Sequence, residues 1–181
     1  LNSGSPIVFQ TDTLPAIGCL PKFSEMIYKI KKRDIKKPLI LMGAENFEFD
    51  DYVDESALDD YKYIASSYWP GPLTIIVPIS EKRRSFSTSS NYTIGLRIPN
   101  SKMAKLLLKK SGPLLTSSAN ISGMPTATNA KEISISLPNV NILGPLPWEN
   151  CSGNASTIIS WANHGKWKII REGDISITGI N

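Results

Sequence analysis

The chain has 181 residues, of which 41% are hydrophobic and 20% charged, so it is neither disordered nor fibrous and its length suits one folded domain with one core. Its net charge of +4 suits a phosphate-bearing partner, but the excess is below the dense basic stripe of a dedicated nucleic-acid binder. Charge alone leaves plain solubility as an equal reading.

Pro6-Ile7-Val8-Phe9 is a short apolar run of strand type, after which Gln10-Thr11-Asp12-Thr13 turns polar, as if a strand delivers a polar loop. Between Lys22 and Lys32 the apolar residues Phe23, Met26, Ile27 and Ile30 are spaced as one helical face. Pro38-Leu39-Ile40-Leu41-Met42 is the next buried-strand candidate. A helical pattern runs from Asp54 to Tyr68 through Ala57, Leu58, Tyr61 and Ile64, and Trp69-Pro70-Gly71-Pro72 breaks it. Leu73 to Val77 and Thr93 to Ile98 read as strands on either side of a serine-rich, basic connector from Glu81 to Asn91, expected to be a mobile surface loop. Ser101 is placed to cap a helix running to Lys110, and Leu114-Leu115 starts a strand before the polar run Thr116 to Asn120. A short helix from Ala130 to Leu137 and strands near Val140 to Leu143, Thr157 to Ser160 and Trp167 to Ile170 complete the pattern. With no repeat and no linker, the expectation is a single α/β domain spanning residues 1–181, with a twisted mixed sheet and flanking helices.

Four polar segments stand beside predicted strand ends, where open α/β sheets bind ligands: Thr11-Asp12-Thr13, Lys31-Lys32-Arg33, Ser117-Ser118-Ala119-Asn120 and Gly153 to Thr157. Lysine and arginine can neutralise phosphates, while hydroxyls and an asparagine amide can orient the rest of a ligand. Each segment also has a plainer reading. Lys31 to Arg33 could merely complement a helix dipole, Ser117 to Asn120 could form a turn, and Thr11 to Thr13 could cap a helix. Spacing alone therefore defines no more than an anion-binding α/β protein.

Other chemistries are poorly supplied. There is no Walker A pattern and no Gly-x-Gly-x-x-Gly, so any nucleotide site must be built differently. The two cysteines, Cys19 and Cys151, lack metal-ligand spacing, and His164 is the single histidine, which disfavours zinc and a histidine-centred triad; no protein-held metal is expected. The cysteines are expected to be unlinked thiols. No apolar run approaches the ~20 residues of a membrane span and nothing resembles a signal peptide, so no membrane partner and a cytoplasmic location are expected.

Taken in order, these segments resemble the YrdC-like family. The resemblance is carried by Thr11-Asp12-Thr13, by Lys31-x-Arg33 followed by Pro38-Leu39, and by Trp69-Pro70-Gly71-Pro72-Leu73-Thr74. It continues through Gly95-Leu96-Arg97-Ile98-Pro99, Ser118-Ala119-Asn120-x-Ser122-Gly123, Ser156-Thr157 and Arg171-x-Gly173, over about residues 6 to 175. Each motif is weak alone and the ordered set is specific. The resemblance implies a sheet with a basic concave face and a nucleotidyltransferase that makes threonylcarbamoyl-adenylate and pyrophosphate from ATP, L-threonine and bicarbonate or CO2. The product would pass to a separate transferase that modifies adenosine in tRNA.

Carried over residue by residue, the resemblance implies Lys31 and Arg33 at the ATP phosphates, as the catalytic pair, with Lys37, Thr93, Asn120, Thr128 and Arg171 completing the nucleotide site. Thr13, Arg97, Ser118 and Ser156 would hold threonine, and Mg²⁺ would accompany ATP. Some positions depart from the family's pattern: Pro15 and Ala16 replace a frequent Tyr and Gly, Lys32 a frequent Gly, and Lys37 a frequent Asn. Met42 stands where many members have a threonine-contacting His. The chain is also expected to lack the C-terminal domain of longer relatives. Two other classes compete: a non-catalytic module gripping double-stranded RNA or tRNA, and a unit like those fused in hydrogenase maturation factors. The retained set of threonine and nucleotide contacts favours the enzyme over the first, and the absence of zinc-finger cysteines disfavours the second.

Overall fold

A computed structural model describes residues 1, 4–149 and 151–178. The strands are β1 (Ile7–Phe9), β2 (Ala16–Cys19), β3 (Ile40–Met42), β4 (Leu73–Pro78), β5 (Thr93–Arg97), β6 (Leu114–Ser118), β7 (Asn141–Ile142), β8 (Thr157–Asn163) and β9 (Lys166–Arg171). The helices are α1 (Ser24–Lys31), α2 (Leu58–Tyr68), α3 (Lys102–Ser111) and α4 (Ala130–Ser136). All nine strands form one sheet in the order β7-β1-β2-β6-β3-β5-β4-β8-β9. It is mixed, as expected: β1–β7, β3–β5 and β4–β8 are parallel and the other pairs antiparallel.

Side chains alternate across each strand, and this alternation sorts the sheet into two unlike faces. Ile17, Leu41, Leu73, Ile75, Val77, Leu96 and Ile159 point to the side covered by Ile27 and Tyr28 of α1 and Tyr61, Ile64 and Ala65 of α2, forming the main core. Each fully buried side chain of this kind contributes about 1.5–3 kcal/mol. On the opposite face, Phe9, Ala16, Met42 and Leu114 pack with Ala104 and Leu108 of α3. Helix α3 covers only that end, leaving the remainder of the face available to a ligand.

The elements differ from the expectation in four places. Strand β2 has no apolar signature, since Pro15, Ala16 and Gly18 are poor strand formers. It forms because it is buried on both faces and paired on both edges, with β1 and β6. Helix α1 buries Ile27, Tyr28 and Lys31, while Met26 is exposed, so its inward face is rotated from the apolar stripe. Strand β6 runs on through Thr116, Ser117 and Ser118, placing hydroxyls on the sheet itself. Finally, the 81–91 connector is held in place: Glu81–Phe86 forms a 3-10 turn, Arg83 pairs with Asp51, and Thr88 Oγ1 accepts the Leu39 N–H at 2.9 Å. Both cysteines are unlinked; Cys19 is buried, and burial pushes its thiol up to about 11.

Helix α1 ends at Lys32 in the left-handed region, φ 50°. A residue with a Cβ is strained there and glycine is not, which gives a physical reason for the glycine implied at this position. Lys32→Gly is therefore expected to stabilise the fold by about 1 kcal/mol, raising Tm by ~2–4 °C in a thermal melt. An unchanged or lower Tm would show that the cap carries no strain.

Candidate functional site

The open part of the second face forms a cavity of about 350 Å³. Its floor is read off the strands at alternate positions: Ile40 and Met42 from β3, Thr74 and Ile76 from β4, Thr93, Gly95 and Arg97 from β5, and Thr116 and Ser118 from β6. Thr13, Ser156, Arg33 and Arg171 close it from the connecting segments. Among the described residues three arginines line it and no carboxylate does.

Arg97 is almost wholly out of water, its side chain 4% exposed. Its Nε donates to the Gly71 carbonyl at 3.2 Å, one terminal nitrogen to Thr13 Oγ1 at 2.8 Å, and the other to Asp12 Oδ1 at 2.7 Å. Burial pulls its pKa down and the Asp12 charge opposes that. Asp12 Oδ2 is buried and has no hydrogen-bond partner among the described residues. Arg97 thus lines the cavity where a ligand carboxylate could meet it, with two of its five N–H groups outside these three bonds.

Across the cavity, Ser156 Oγ lies 2.9 Å from Thr74 Oγ1 and accepts from Arg171 at 3.3 Å. The Ser156 carbonyl takes two further bonds from Arg171, at 3.1 and 2.8 Å. Arg33 is half-buried and braced by the carbonyls of Lys37 and Pro38, at 3.1 and 3.0 Å. Burial lowers the pKa of both Arg33 and Arg171.

Thr13, Arg33, Thr93, Arg97, Ser118, Ser156 and Arg171, all expected from the sequence, therefore meet in one cavity. Met42 lines it too, 4% exposed and packed against the apolar cluster under α3. Four expected residues do not line it. Lys31 is 1% exposed and its ammonium gives its three N–H bonds to the Ser118 carbonyl, the Asn120 carbonyl at 2.6 Å and Asn120 Oδ1 at 3.1 Å. It lies beneath the site as a strut joining α1 to the end of β6. Asn120 is equally occupied: Oδ1 accepts from Lys31 and from Ser118 Oγ at 2.6 Å, while Nδ2 donates to the carbonyls of Ile121 at 3.1 Å and Met124 at 2.7 Å. Lys37 is exposed, and its carbonyl braces Arg33. Thr128 lines a different cavity, with Trp148 and Cys151.

Sequence reading missed Thr74, Ile76, Thr116 and Gly95. Thr74 closes the Trp69–Thr74 motif but stands inside the apolar run Leu73–Pro78, where the period-2 alternation of a two-sided strand marks its side chain as turned to the cavity. Gly95 forms the floor; a Cβ there would meet Ile40 and Thr74 at 3.6 Å, in ordinary contact but inside the ligand space.

Such a fold and cavity define a class: an α/β protein whose sheet face carries a cavity, with hydroxyls beside arginines, suited to a small anionic ligand. The Sua5_yciO_yrdC family model, described as telomere recombination, matches residues 1–173, and the chain belongs to this family. A relative from Pseudoalteromonas atlantica named threonylcarbamoyl-AMP synthase is 32% identical, over 78% of this chain and 78% of that relative. E. coli YciO superposes with a TM-score of 0.81 at 25% identity, covering 99% of this chain and 88% of that one. P. abyssi Sua5, in its crystal structure complexed with L-threonine, superposes with a TM-score of 0.83 at 27% identity over 94% of this chain. This chain spans about half of that Sua5, 51%.

The Lys31 strut gives a stability test. Burial and the nearby Arg33 charge lower its pKa to about 8. Lys31→Met removes three charge-assisted bonds and leaves the Asn120 carbonyl without its donor, while Asn120 Oδ1 keeps Ser118 Oγ and the Ser118 carbonyl keeps the Asn120 N–H, and it is expected to cost ~3 kcal/mol in urea unfolding at neutral pH. The folded pKa lies below the ordinary value of 10.5, so between pH 8 and 10 the unfolded chain holds the proton and the folded chain releases it. Native stability relative to Lys31→Met should therefore rise over that window, and a gap that shrinks would contradict the buried strut.

Proposed function

We propose that this chain is a threonylcarbamoyl-AMP synthase, joining L-threonine, bicarbonate or CO2 and ATP into threonylcarbamoyl-adenylate with release of pyrophosphate. The observation that carries the reading is the meeting, in one cavity, of three arginines with the hydroxyls of Thr13, Thr93, Ser118 and Ser156. The relatives named for this activity support it.

Arg97 and Thr13 take the amino-acid end, together with Ser118 and Ser156, and Arg97 meets the substrate carboxylate. Arg33, Arg171 and Thr93 take the nucleotide end. Lys31 and Asn120 act from beneath, holding the Ser118 segment in place, and Lys37 and Thr128 stand outside the first contacts. The threonine amine adds to the carbon of CO2 and loses a proton, giving a carbamate. A carbamate oxygen then attacks the α-phosphorus, and the bond from that phosphorus to the bridging oxygen breaks as pyrophosphate leaves. The protein contributes proximity and positive charge: holding the reactants together offsets several kcal/mol of entropy, and fixed arginines stabilise charge that develops on the phosphate. No group of three or more His, Cys, Asp or Glu side chains able to hold a metal occurs among the described residues. Mg²⁺ would enter on the phosphates of ATP.

In this reading the product serves a downstream transferase acting on tRNA, and the work is cytoplasmic. No helix among the described residues is long and apolar enough to cross a membrane.

Incubation with ATP, bicarbonate and labelled L-threonine should yield threonylcarbamoyl-AMP and pyrophosphate in equal amounts. RNA retention without any adenylate would instead mark a binding module. Arg33→Ala should weaken ATP binding by about 1.5–3 kcal/mol, the value of a charged hydrogen bond, measured by calorimetric titration on a folded variant.

A further inference from the structure

The hydrogen bonds around the amino-acid end fix which way each hydroxyl can point. Thr11 Oγ1 has a single proton, and it goes to the Leu14 carbonyl at 2.8 Å, an atom that can only accept. Thr11 Oγ1 also lies 3.1 Å from Thr13 Oγ1. Since Thr11 has no second proton to give, Thr13 is the donor in that pair. The Thr13 backbone N–H, at 3.2 Å, takes the remaining lone pair of Thr11. Thr13 Oγ1 has thus spent its proton and accepts from Arg97 at 2.8 Å, leaving one lone pair for a ligand.

Ser118 is constrained in the same way by a different neighbour. Its hydroxyl donates to Asn120 Oδ1 at 2.6 Å, and that amide is locked because Nδ2 spends its two protons on Ile121 and Met124. Ser118 also turns only lone pairs toward the cavity. Both hydroxyls belong to the same end of the cavity, where Ala16 and Ser118 are paired neighbours on adjacent strands and the Ala119 N–H bonds to the Pro15 carbonyl at 2.8 Å.

We infer that Thr11 and Asn120 act as proton sinks that make Thr13 and Ser118 pure acceptors, so that this end of the cavity recognises the α-ammonium of an amino acid while Arg97 takes the adjoining carboxylate. Thr11, which does not line the cavity, is then a positioning residue for selectivity. The inference rests on the reading of this cavity as the threonine site. It assigns to Thr11 a part in choosing an amino acid over an acid that lacks the α-amine, because without an ammonium the lone pairs of Thr13 and Ser118 meet no donor.

Thr11→Val removes the proton sink with little change of shape and frees the Thr13 hydroxyl to rotate; Thr11→Ser restores it. Binding is measured by calorimetric titration with L-threonine, with 3-hydroxybutyrate, which lacks the α-amine, and with ATP. Wild type should prefer L-threonine by about 30-fold or more, Thr11→Val should bind L-threonine about tenfold more weakly and narrow that preference to a few-fold, and Thr11→Ser should return to within about threefold of wild type. ATP affinity should stay within about twofold throughout. An unaltered preference in a folded Thr11→Val overturns the inference, as does an equal loss for L-threonine and ATP, which would make Thr11 a purely structural residue. Wild type that does not bind L-threonine overturns it too. Wild type that binds L-threonine with this preference but forms no adenylate leaves the inference standing and defeats the synthase reading, so the two failures are separable.

Discussion

The Arg97 guanidinium ties three segments together: its own strand β5, the Asp12-Thr13 loop and the turn at Gly71. Removing a guanidinium from water costs several kcal/mol, and the cost is met only where partners are correctly placed around it. Asp12 supplies the opposite charge, and Thr13 and Gly71 supply two further acceptors. The loop so fixed carries other bonds in turn, because the Asp12 and Thr13 carbonyls accept the N–H groups of Ser152 and Gly153 at 3.1 and 3.2 Å. One wall of the cavity thus hangs on one buried charge, and the ligand-facing side of Arg97 is rigid before any ligand arrives.

Lys31 makes a comparable joint on the opposite side, and the contrast among the cations is instructive. Lys31 and Arg97 are both buried and both use protein oxygens as partners, yet only Arg97 also borders the cavity. The difference follows from donor number: an ammonium with three N–H bonds is exhausted by three oxygens, whereas a guanidinium with five keeps some in reserve. Arg33 is half-buried and Arg171 exposed, each is braced on backbone carbonyls, and both line the cavity. Structural and cavity-facing positions thus divide among four cations that look alike in the sequence.

Much of the fold could be read from the sequence, because apolar runs and helical spacing report burial directly. The strands at Ile7, Ile40, Leu73, Thr93 and Thr157 and the helices capped by Ser101 and Asn129 fall where the patterns put them. Strand β2 could not be read, since its stability comes from pairing on both edges, a long-range property invisible in a window containing Pro15 and Gly18. The inward face of α1 was misjudged for a related reason: Lys31 is buried only because Ser118 and Asn120, far along the chain, present oxygens to it. The same contacts explain the site residues that moved. Asn120 and Lys31 satisfy each other, and a motif cannot reveal that two of its members have no bonds left for a ligand. Thr13, Arg97, Ser118 and Ser156, which the family resemblance implied, all line the cavity.

The position of α3 explains the chemistry of the cavity more than any single residue does. By covering Phe9, Ala16, Met42 and Leu114 it makes one end of the sheet face apolar, while the remainder, which lines the cavity, carries Thr74, Thr93, Thr116 and the arginines. Met42 sits on the boundary, buried in the apolar cluster and yet lining the cavity. A methyl group placed near the boundary is sheltered by Met42, and polar groups a bond or two away reach Thr13, Ser118 or Arg97. In the synthase reading this meeting of surfaces suits an amino acid that carries a methyl and a hydroxyl on one carbon. An imidazole at residue 42 would add a donor there but would need a partner of its own within an apolar cluster. With methionine, hydroxyl recognition falls to residues whose hydrogen-bond polarity the neighbouring strands already dictate.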